Sequence, residues 1–232
     1  MAKKLIDIQH SIESETMSFR NHLENSLNDE VFDLMCQLSR HCKVYIFSGI
    51  IRNYFLKINE IRDVDIVLDG NIDIGNIISK YQYRKNSFGG YKITIENTNI
   101  DLWFLRNTWA LQFQPSLDFE LEKYIPNTAF FNFSSIVFSF NENKFIYTRY
   151  FARFLRDKKI DLVFAPNADE SLCVVNTLYY SDKLKLKLSK KLIKHIKTLS
   201  RNNVGKYEET QLRHFGRILY TNEVVQERIK RL

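Results

Sequence analysis

Two carboxylates, Asp63 and Asp65, alternate with apolar residues at the start of the run 64–68. Side chains along a strand point alternately to its two faces, so both carboxylates are expected on one face, close enough to share a metal ion. Carboxylate oxygens are the ligands that Mg²⁺ prefers. The pair therefore predicts a divalent-cation site, although an Asp-x-Asp pattern at a strand end also occurs without a metal.

A turn of small residues precedes this pair. The apolar run 44–47 ends in Ser48 and Gly49, and the predicted helix that follows, 50–57, carries Arg52. Such a turn leaves the first backbone N–H groups of a helix free, which suits the phosphates of a nucleotide. A phosphate site beside a cation site is the combination that nucleotidyl transfer requires.

A third carboxylate, Asp101, opens the otherwise apolar run 100–105. If that strand lies beside 64–68, Asp101 converges with Asp63 and Asp65. Three gathered carboxylates repel one another, and bound Mg²⁺ cancels that repulsion. We therefore predict that all three are catalytic metal ligands for two Mg²⁺ ions, with Mn²⁺ as an alternative.

The hydrophobic pattern predicts a mixed α/β front, residues 1–165, and a helical back, residues 166–232. Two hairpins belong to the front. In chain order the predicted elements are helix 28–40, strand 44–47, helix 50–57, strand 64–68, helix 73–81, hairpin strands 91–96 and 100–105, hairpin strands 136–140 and 144–147, and helices 172–180, 190–199, 208–219 and 222–232.

Charge is distributed unevenly along the 232 residues, whose net charge is +7. Residues 181–232 contain 14 Lys and Arg against 5 Asp and Glu, whereas the residues before them contain 20 against 22. A basic C-terminal quarter is typical of a protein that binds a polyanion, above all RNA. A solvated face of lysine-rich helices explains the same composition equally well. Tyr179 and Tyr180, beside this quarter, fit a core stripe better than a base-stacking role.

Three cysteines, Cys36, Cys42 and Cys173, are too few for a disulfide framework and predict buried free thiols in a reducing cytoplasm. No apolar run reaches membrane-spanning length, and the N-terminus lacks a signal-peptide core. We therefore expect a cytoplasmic location and no membrane partner.

These segments resemble a known family. Residues 48–53, Ser-Gly-Ile-Ile-Arg-Asn, are similar to the Gly-Gly-x-Val-Arg-Asp signature of the head domain that bacterial tRNA nucleotidyltransferases (CCA-adding enzymes) share with bacterial poly(A) polymerases. Residues 62–67 resemble the metal-binding strand of that family, and residues 100–106 resemble a later strand that ends in a characteristic Arg. The resemblance covers about residues 30–150.

The resemblance implies an α+β protein with the polymerase-β-like nucleotidyltransferase fold, in which helices flank a mixed sheet and a small all-helical C-terminal domain follows. By this resemblance, the acidic strands supply the metal ligands, and the small-residue turn, the helix after it and the terminal Arg supply the nucleotide-binding residues. The metal ligands are Asp63, Asp65 and Asp101, and the nucleotide-binding residues are Ser48, Gly49, Arg52 and Arg106.

The sequence also departs from the family. Ser48 replaces the first Gly, and Asn53 replaces the usual Asp. Residues 128–133 lie where the family has an Arg-Arg-Asp-Phe-Thr-x-Asn-Ala segment, and of that segment only Asn132 remains. No Glu-Asp-x-x-Arg pattern, with which CCA-adding enzymes select C and A, occurs in the helical part. These departures favour a compact, specialised relative.

Lys92, close to the loop 88–90, is a candidate to replace the missing positive charge near the triphosphate, and we predict that it binds nucleotide. Arg84 and Lys85 precede the same loop and fit either this role or that of solvated loop residues.

We therefore predict a metal-dependent enzyme that transfers a nucleotide from an NTP, ATP or CTP, to a hydroxyl acceptor and releases pyrophosphate. The expected acceptor is an RNA, in particular a tRNA 3′ end, bound through the basic C-terminal helices. Two alternatives stay open. One is a toxin or phage-defence nucleotidyltransferase that modifies tRNA or a protein, and the other is a catalytically silent RNA-binding module on the same fold.

Overall fold

The computed structural model describes residues 4–61, 63–86, 89–113 and 121–232. These residues form two compact units. The first comprises the chain up to Ala129 together with Phe133–Arg156, and the second comprises Phe130–Asn132 together with Asp157–Leu232. The domain boundary at residue 165 stays a prediction, because compact units are defined by contacts and not by independent folding.

Strands of the first unit form a mixed sheet with the order β3-β4-β5-β2-β1-β6-β7. Neighbouring strands are antiparallel except β2 and β5, which are parallel. The strands are Lys43–Phe47 (β1), Asp63–Asp69 (β2), Gln82–Lys85 (β3), Tyr91–Ile95 (β4), Thr98–Phe104 (β5), Ile136–Ser139 (β6) and Lys144–Tyr147 (β7), with Lys159–Ile160 (β8) and Lys187–Leu188 (β9) as a parallel pair in the second unit.

Helices surround the sheet in the first unit and make up most of the second. Short 3₁₀ segments occur at Leu105–Asn107, Trp109–Phe113 and Asn132–Ser134. The α-helices are Leu5–Ser14 (α1), Thr16–Ser26 (α2), Asp29–Ser39 (α3), Gly49–Leu56 (α4), Gly75–Ile78 (α5), Leu121–Asn127 (α6), Arg149–Asp157 (α7), Glu170–Leu184 (α8), Lys190–Asn202 (α9), Tyr207–Phe215 (α10) and Asn222–Arg231 (α11). None of the helices in the described ranges is both long enough and apolar enough to span a membrane.

The central strands β1 and β2 are buried on one face beneath α3 and α4. On the opposite face a smaller apolar cluster combines side chains of β1, β2 and β6 with Leu105 and with Ile125 of α6. Phe47 and Trp103 pack against this cluster at a ring-centroid distance of 6.1 Å. The second face therefore carries both an apolar cluster and, as described below, the predicted carboxylates.

The second unit is organised around α8, which packs against α9 and α10. Its N-cap, Asp169, accepts a hydrogen bond from the backbone N–H of Leu172 and an ion pair from Arg213 at 2.5 Å. Near the other end, Asp182 accepts two hydrogen bonds of 2.6 Å from Arg228 of α11. These charged contacts fix both ends of α8 to the later helices.

The fold class, the mixed sheet and both hairpins are confirmed. Several element predictions were wrong or incomplete. The helix predicted at 73–81 is the single turn α5, because Asp73 Oδ1 accepts the Gly75 N–H and forms a local turn before it. The helix predicted at 208–219 ends at Phe215, because Gly216 adopts φ 67°. Asp101 lies in the middle of β5 and does not open it.

Other differences concern residues predicted as core or loop. The cysteines are free, but only Cys173 is buried, whereas Cys36 and Cys42 are partly exposed. Tyr179 and Tyr180 are also partly exposed, and they form ring contacts with Phe215 and Phe131. Arg84 and Lys85, considered as loop residues, belong to strand β3 and are exposed. The back of the chain is not wholly helical, because it contains β9.

Candidate active site

Strand register places Asp65 and Asp101 side by side. They are direct partners in the parallel pair β2–β5, and Phe47 is the partner of Asp65 on the other side. Lys92 of β4 is the partner of Asp101. Directly opposed residues point to the same face of a sheet, so these four side chains form one transverse row. We call Phe47, Asp65, Asp101 and Lys92 the acidic row.

Asp63 lies two residues before Asp65 and so belongs to the same face. Its strand partner is Asn99, whose Nδ2 donates to Asp63 Oδ1 at 3.4 Å. Asn99 precedes Asp101 by the same two residues, so β2 and β5 each contribute a polar pair in matching register. Sequence reasoning missed Asn99, although this repeated spacing was a signal that could have identified it.

The pKa of Asp65 reflects both its burial and the charges around it. Burial, followed by the negative charges of Asp101 and Asp63, raises the pKa of Asp65 to about 7, against the opposing effects of Arg52 and Lys92. The negative charges of Asp101 and Asp63 are therefore close enough to Asp65 to disfavour its ionised form. A divalent cation would relieve this repulsion.

The carboxylates fit a Mg²⁺ site by the chemistry of their donors. Within the described ranges, however, no group of three or more His, Cys, Asp or Glu side chains is arranged so that it could bind one metal ion. Mg²⁺ usually keeps several waters and binds through one or two carboxylates plus substrate phosphates. Asp65 and Asp101 supply such a pair, and Asp63 is the nearest further carboxylate on that face.

Ser48 and Gly49 form the predicted turn directly after Phe47. Ser48 is the N-cap residue of α4 and adopts φ 58° and ψ −100°, a backbone conformation that favours glycine. Its side chain does not cap the helix; instead its Oγ forms a 2.7 Å hydrogen bond with Ser134 Oγ. A Cβ added at Gly49 would only meet Arg52 at an ordinary contact distance of 3.9 Å. The strained position is therefore Ser48, the one at which the family carries its first Gly.

Substituting Ser48 by Gly is expected to stabilise the protein by roughly 0.5–1 kcal/mol, because relief of backbone strain exceeds the added chain entropy and the lost hydroxyl contact. Denaturant unfolding of the wild type and S48G measures this change. S134A serves as the control, because it removes the hydroxyl pair and leaves the backbone conformation unchanged. If S48G were destabilised as much as S134A, the hydrogen bond and not backbone strain would dominate at this position.

Arg52 is buried, with an exposed fraction of 5%. Its Nε and Nη2 atoms donate to Asn53 Oδ1 at 3.0 and 2.9 Å, and Asn53 Nδ2 donates to the backbone carbonyl of Glu60 at 2.7 Å. The amide at position 53 therefore keeps a hydrogen-bonded partner for Arg52 and also anchors the loop after α4. An Asp at this position lacks the donor for Glu60, which gives the departure from the family signature a structural reason.

The remaining predicted nucleotide-binding residues lie in different places. Lys92 belongs to the acidic row, and its Nζ lies 3.7 Å from Asp101 Oδ2. Arg106 follows the C-terminal end of β5, where its Nη1 donates to Asn71 Oδ1 at 3.3 Å and its guanidinium stacks on Phe104. Four residues of the chain lie between Asp101 and Arg106, whose side-chain contacts are with Asn71 and Phe104 and not with the acidic row. The role of Arg106 in nucleotide binding stays a prediction. Arg62, part of the family-like strand, lies outside the described residues, as does Phe88.

Asn132, which remains from the family's Arg-Arg-Asp segment, has structural partners. It is buried; its Nδ2 donates to the Lys159 carbonyl, and its Oδ1 accepts the Asp161 N–H. These bonds attach Phe130–Asn132 to the residues around β8 within the second unit. These contacts give Asn132 a structural role that does not require a nucleotide.

The second unit carries a line of basic side chains along α9. Lys190, Lys194, Lys197 and Arg201 follow one another at intervals of three or four residues and therefore share one side of the helix. Lys197 is partly exposed and the other three are exposed. We call these four residues the α9 basic stripe. Within the described part of the chain, no Asp or Glu forms an ion pair with any of them.

Comparison with known proteins gives the fold a name. Neither the protein-family models nor the curated protein sequences contain a match to this chain. Among solved structures, a CCA-adding enzyme in complex with CTP has a TM-score of 0.66 and 14% sequence identity over 90% of this chain and 53% of that chain. The chain has the fold of the CCA-adding enzymes.

Two further structures agree with this assignment. The Thermotoga maritima CCA-adding enzyme complexed with tRNA has a TM-score of 0.64 and 13% identity, covering 90% of this chain and 52% of its own. A tRNA-processing enzyme with CTP has a TM-score of 0.58 and 18% identity, covering 82% and 53% respectively. The chain thus spans about half the length of the CCA-adding enzymes that it matches, and at these identities the similarity establishes the fold.

Proposed function

We propose that this protein is a metal-dependent nucleotidyltransferase that transfers a nucleotide from ATP or CTP to a hydroxyl of an RNA acceptor, in particular a tRNA 3′ end. The acidic row carries this proposal, because it places Asp65 and Asp101 side by side and because Phe47, the strand partner of Asp65, directly precedes the Ser48–Gly49 turn. That CCA-adding enzymes of the same fold are known in complexes with CTP, with ATP and with tRNA supports these ligand classes.

In the proposed reaction the acceptor hydroxyl oxygen forms a bond to the α-phosphorus, the bond from that phosphorus to the β-phosphate oxygen breaks, and pyrophosphate and the hydroxyl proton leave. Asp65, Asp101 and Asp63 would hold two Mg²⁺ ions. When bound, these ions supply the positive charge that activates the hydroxyl and neutralises the leaving group. Mn²⁺ has the same preference for oxygen ligands.

Chain residues around the carboxylates bind and orient the nucleotide. The backbone N–H groups in the first turn of α4, which begins at Gly49, point toward the N-terminus of the helix, where phosphates bind favourably. Lys92 supplies an ammonium on the same face. Arg52 is buried against Asn53, so we assign it to holding this turn and to stabilising the ionised form of Asp65, not to direct contact with the triphosphate.

We assign RNA binding to the α9 basic stripe. Lysines in the first turn of a helix oppose its macrodipole, each at a cost of about 0.3–1 kcal/mol. Helix α9 begins with Lys190 and Lys191 and has no acidic residue in its first turn. Within the stripe, Lys190 opposes the helix dipole and only Arg201, in the last turn, is favoured by it. The helix dipole therefore does not account for the stripe as a whole, and a phosphate backbone is the partner that best complements it.

Incubation with α-labelled ATP or CTP, Mg²⁺ and total RNA tests the proposal. We expect label in RNA that requires Mg²⁺. Absence of transfer, with no pyrophosphate released, would contradict catalysis.

A catalytically silent RNA-binding module is the second candidate, and it is favoured by the contacts of Arg106 with Asn71 and Phe104, which already occupy its guanidinium. Calorimetry separates the two, because a silent module should bind RNA without an NTP site that depends on Mg²⁺.

A further inference from the structure

Lys92 is the one cation in the acidic row. Strand pairing fixes its place, because it is the direct partner of Asp101 in the antiparallel pair β4–β5. The start of β4 is anchored at Gly90, whose N–H donates to Asn86 Oδ1 at 2.9 Å and whose carbonyl accepts the Asn86 N–H at 2.8 Å. Arg84, the partner of Lys92 on β3, stands behind it with a like charge. Lys92 is thus directed toward Asp101.

The contact between Lys92 and Asp101 is close but easily exchanged. Nζ and Oδ2 are 3.7 Å apart, and the two side chains are 39% and 37% exposed. Ion pairs at such exposure contribute little to stability, so a stronger ligand readily replaces either partner. As long as the pair persists, the ammonium lies where a cation bound to Asp101 would experience repulsion. This arrangement agrees with the observation that, among the described residues, no three His, Cys, Asp or Glu side chains form a group that could bind one metal ion.

We propose that Lys92 is an internal counter-ion of Asp101 that the triphosphate of an incoming nucleotide draws away, so that cation binding at Asp65 and Asp101 depends on nucleotide. This inference rests on the proposed function. A triphosphate carries more negative charge than one carboxylate and accepts hydrogen bonds from an ammonium. Transfer of Lys92 from Asp101 to the phosphates would free a carboxylate oxygen for the cation and bind the nucleotide in the same movement.

The consequence is thermodynamic coupling between the two ligands. In the nucleotide-free wild type, cation affinity is held low by Lys92. In K92M the neutral side chain of similar length leaves Asp101 unpaired, and Mn²⁺ binding to the nucleotide-free protein is expected to tighten about threefold to tenfold, from removal of one nearby like charge at an intermediate dielectric. K92M should also bind a non-hydrolysable NTP more weakly.

Titration of the nucleotide-free full chain with Mn²⁺, followed by electron paramagnetic resonance, tests this without any turnover. K92R keeps the charge and should retain the affinity of the wild type. K85M removes one positive charge from the neighbouring strand at a position that faces the other way, and it should also behave as the wild type. D65N should abolish binding in every background.

The outcomes separate this inference from the proposed function. Tighter Mn²⁺ binding in K92M alone, including the case in which the wild type binds none, supports the counter-ion role. Binding in the wild type that D65N abolishes but K92M leaves unchanged or weakens would overturn that role and leave the metal site intact. Absence of Mn²⁺ binding in both the wild type and K92M would overturn the inference together with the metal site of the proposed function.

Discussion

Replacing Asp65 with Asn is expected to reduce nucleotidyl transfer by about 1,000-fold or more, because loss of a metal ligand removes charge stabilisation from the transition state. The substitution preserves side-chain size, removes the charge and replaces one metal-binding oxygen with an amide NH₂ group. Initial rates with labelled NTP and RNA measure the effect. D69N is the matched control, because Asp69 lies on the same strand and face but at the opposite end, next to Lys43. Equal losses in both variants would contradict the assignment of Asp65.

The same substitution should stabilise the metal-free protein. The pKa of Asp65 is about 7 in the folded protein, above the usual value of 3.8 expected when it is unfolded. The folded state therefore binds more protons between these values, and its stability falls as the pH rises from 4 to 7. At pH 8 without metal, D65N should exceed the wild type by about 1–3 kcal/mol in unfolding free energy, and the difference should disappear near pH 4.

Unfolding free energies of D65N and the wild type, measured in EDTA at pH 4 and pH 8, test this prediction. At catalytic positions, a charge that is required for activity often lowers the stability of the folded protein. If D65N were less stable than the wild type at pH 8, Asp65 would be a structural carboxylate, and the case for a metal in the acidic row would weaken.

Reversing the charge of the α9 basic stripe is the second large expected effect. The triple variant K190E/K194E/R201E should bind RNA about 100-fold more weakly than the wild type at low salt, with a smaller dependence of affinity on salt concentration, because fewer counterions are released from the phosphates. Fluorescence anisotropy with a labelled tRNA at several salt concentrations measures both quantities. Folding should survive, because Glu at position 190 favours the helix N-terminus and offsets the unfavourable Glu at position 201 in the last turn.

A second triple variant, K206E/R217E/K230E, changes the net charge by the same amount at exposed positions of the same unit outside the stripe. It should lose much less affinity. Equal losses in both variants would show that net charge alone, and not the α9 basic stripe, determines RNA binding, as expected for a merely solvated lysine-rich face.

Much of the fold is predictable from the sequence where local and long-range preferences agree. The strand 64–68 and the hairpin 91–105 follow from alternation and from the short polar turn between β4 and β5, and the structure confirms both. The strained residue Ser48 also lies where the small-residue turn is predicted.

Other features depend on interactions that no local pattern encodes. Strand β3 is exposed along its whole length and has no apolar alternation, so only pairing with β4 defines it. The parallel register of β2 and β5, which makes Asp65 and Asp101 neighbours, joins segments more than 30 residues apart. The nucleotide-binding role of Arg106 comes from the family resemblance alone and stays a prediction, whereas its position just beyond β5 follows from where that strand ends.

A crystal structure of the full chain with Mn²⁺ and a non-hydrolysable ATP or CTP analogue would show whether Asp65 and Asp101 share a metal ion. We expect an anomalous peak between the carboxylates of Asp65 and Asp101 at about 2.0–2.3 Å from their oxygens, a distance typical of a small divalent cation. The triphosphate should lie over the N-terminus of α4, within reach of Lys92. A well-ordered nucleotide with its metal bound elsewhere, or with both carboxylates free of it, would contradict the account.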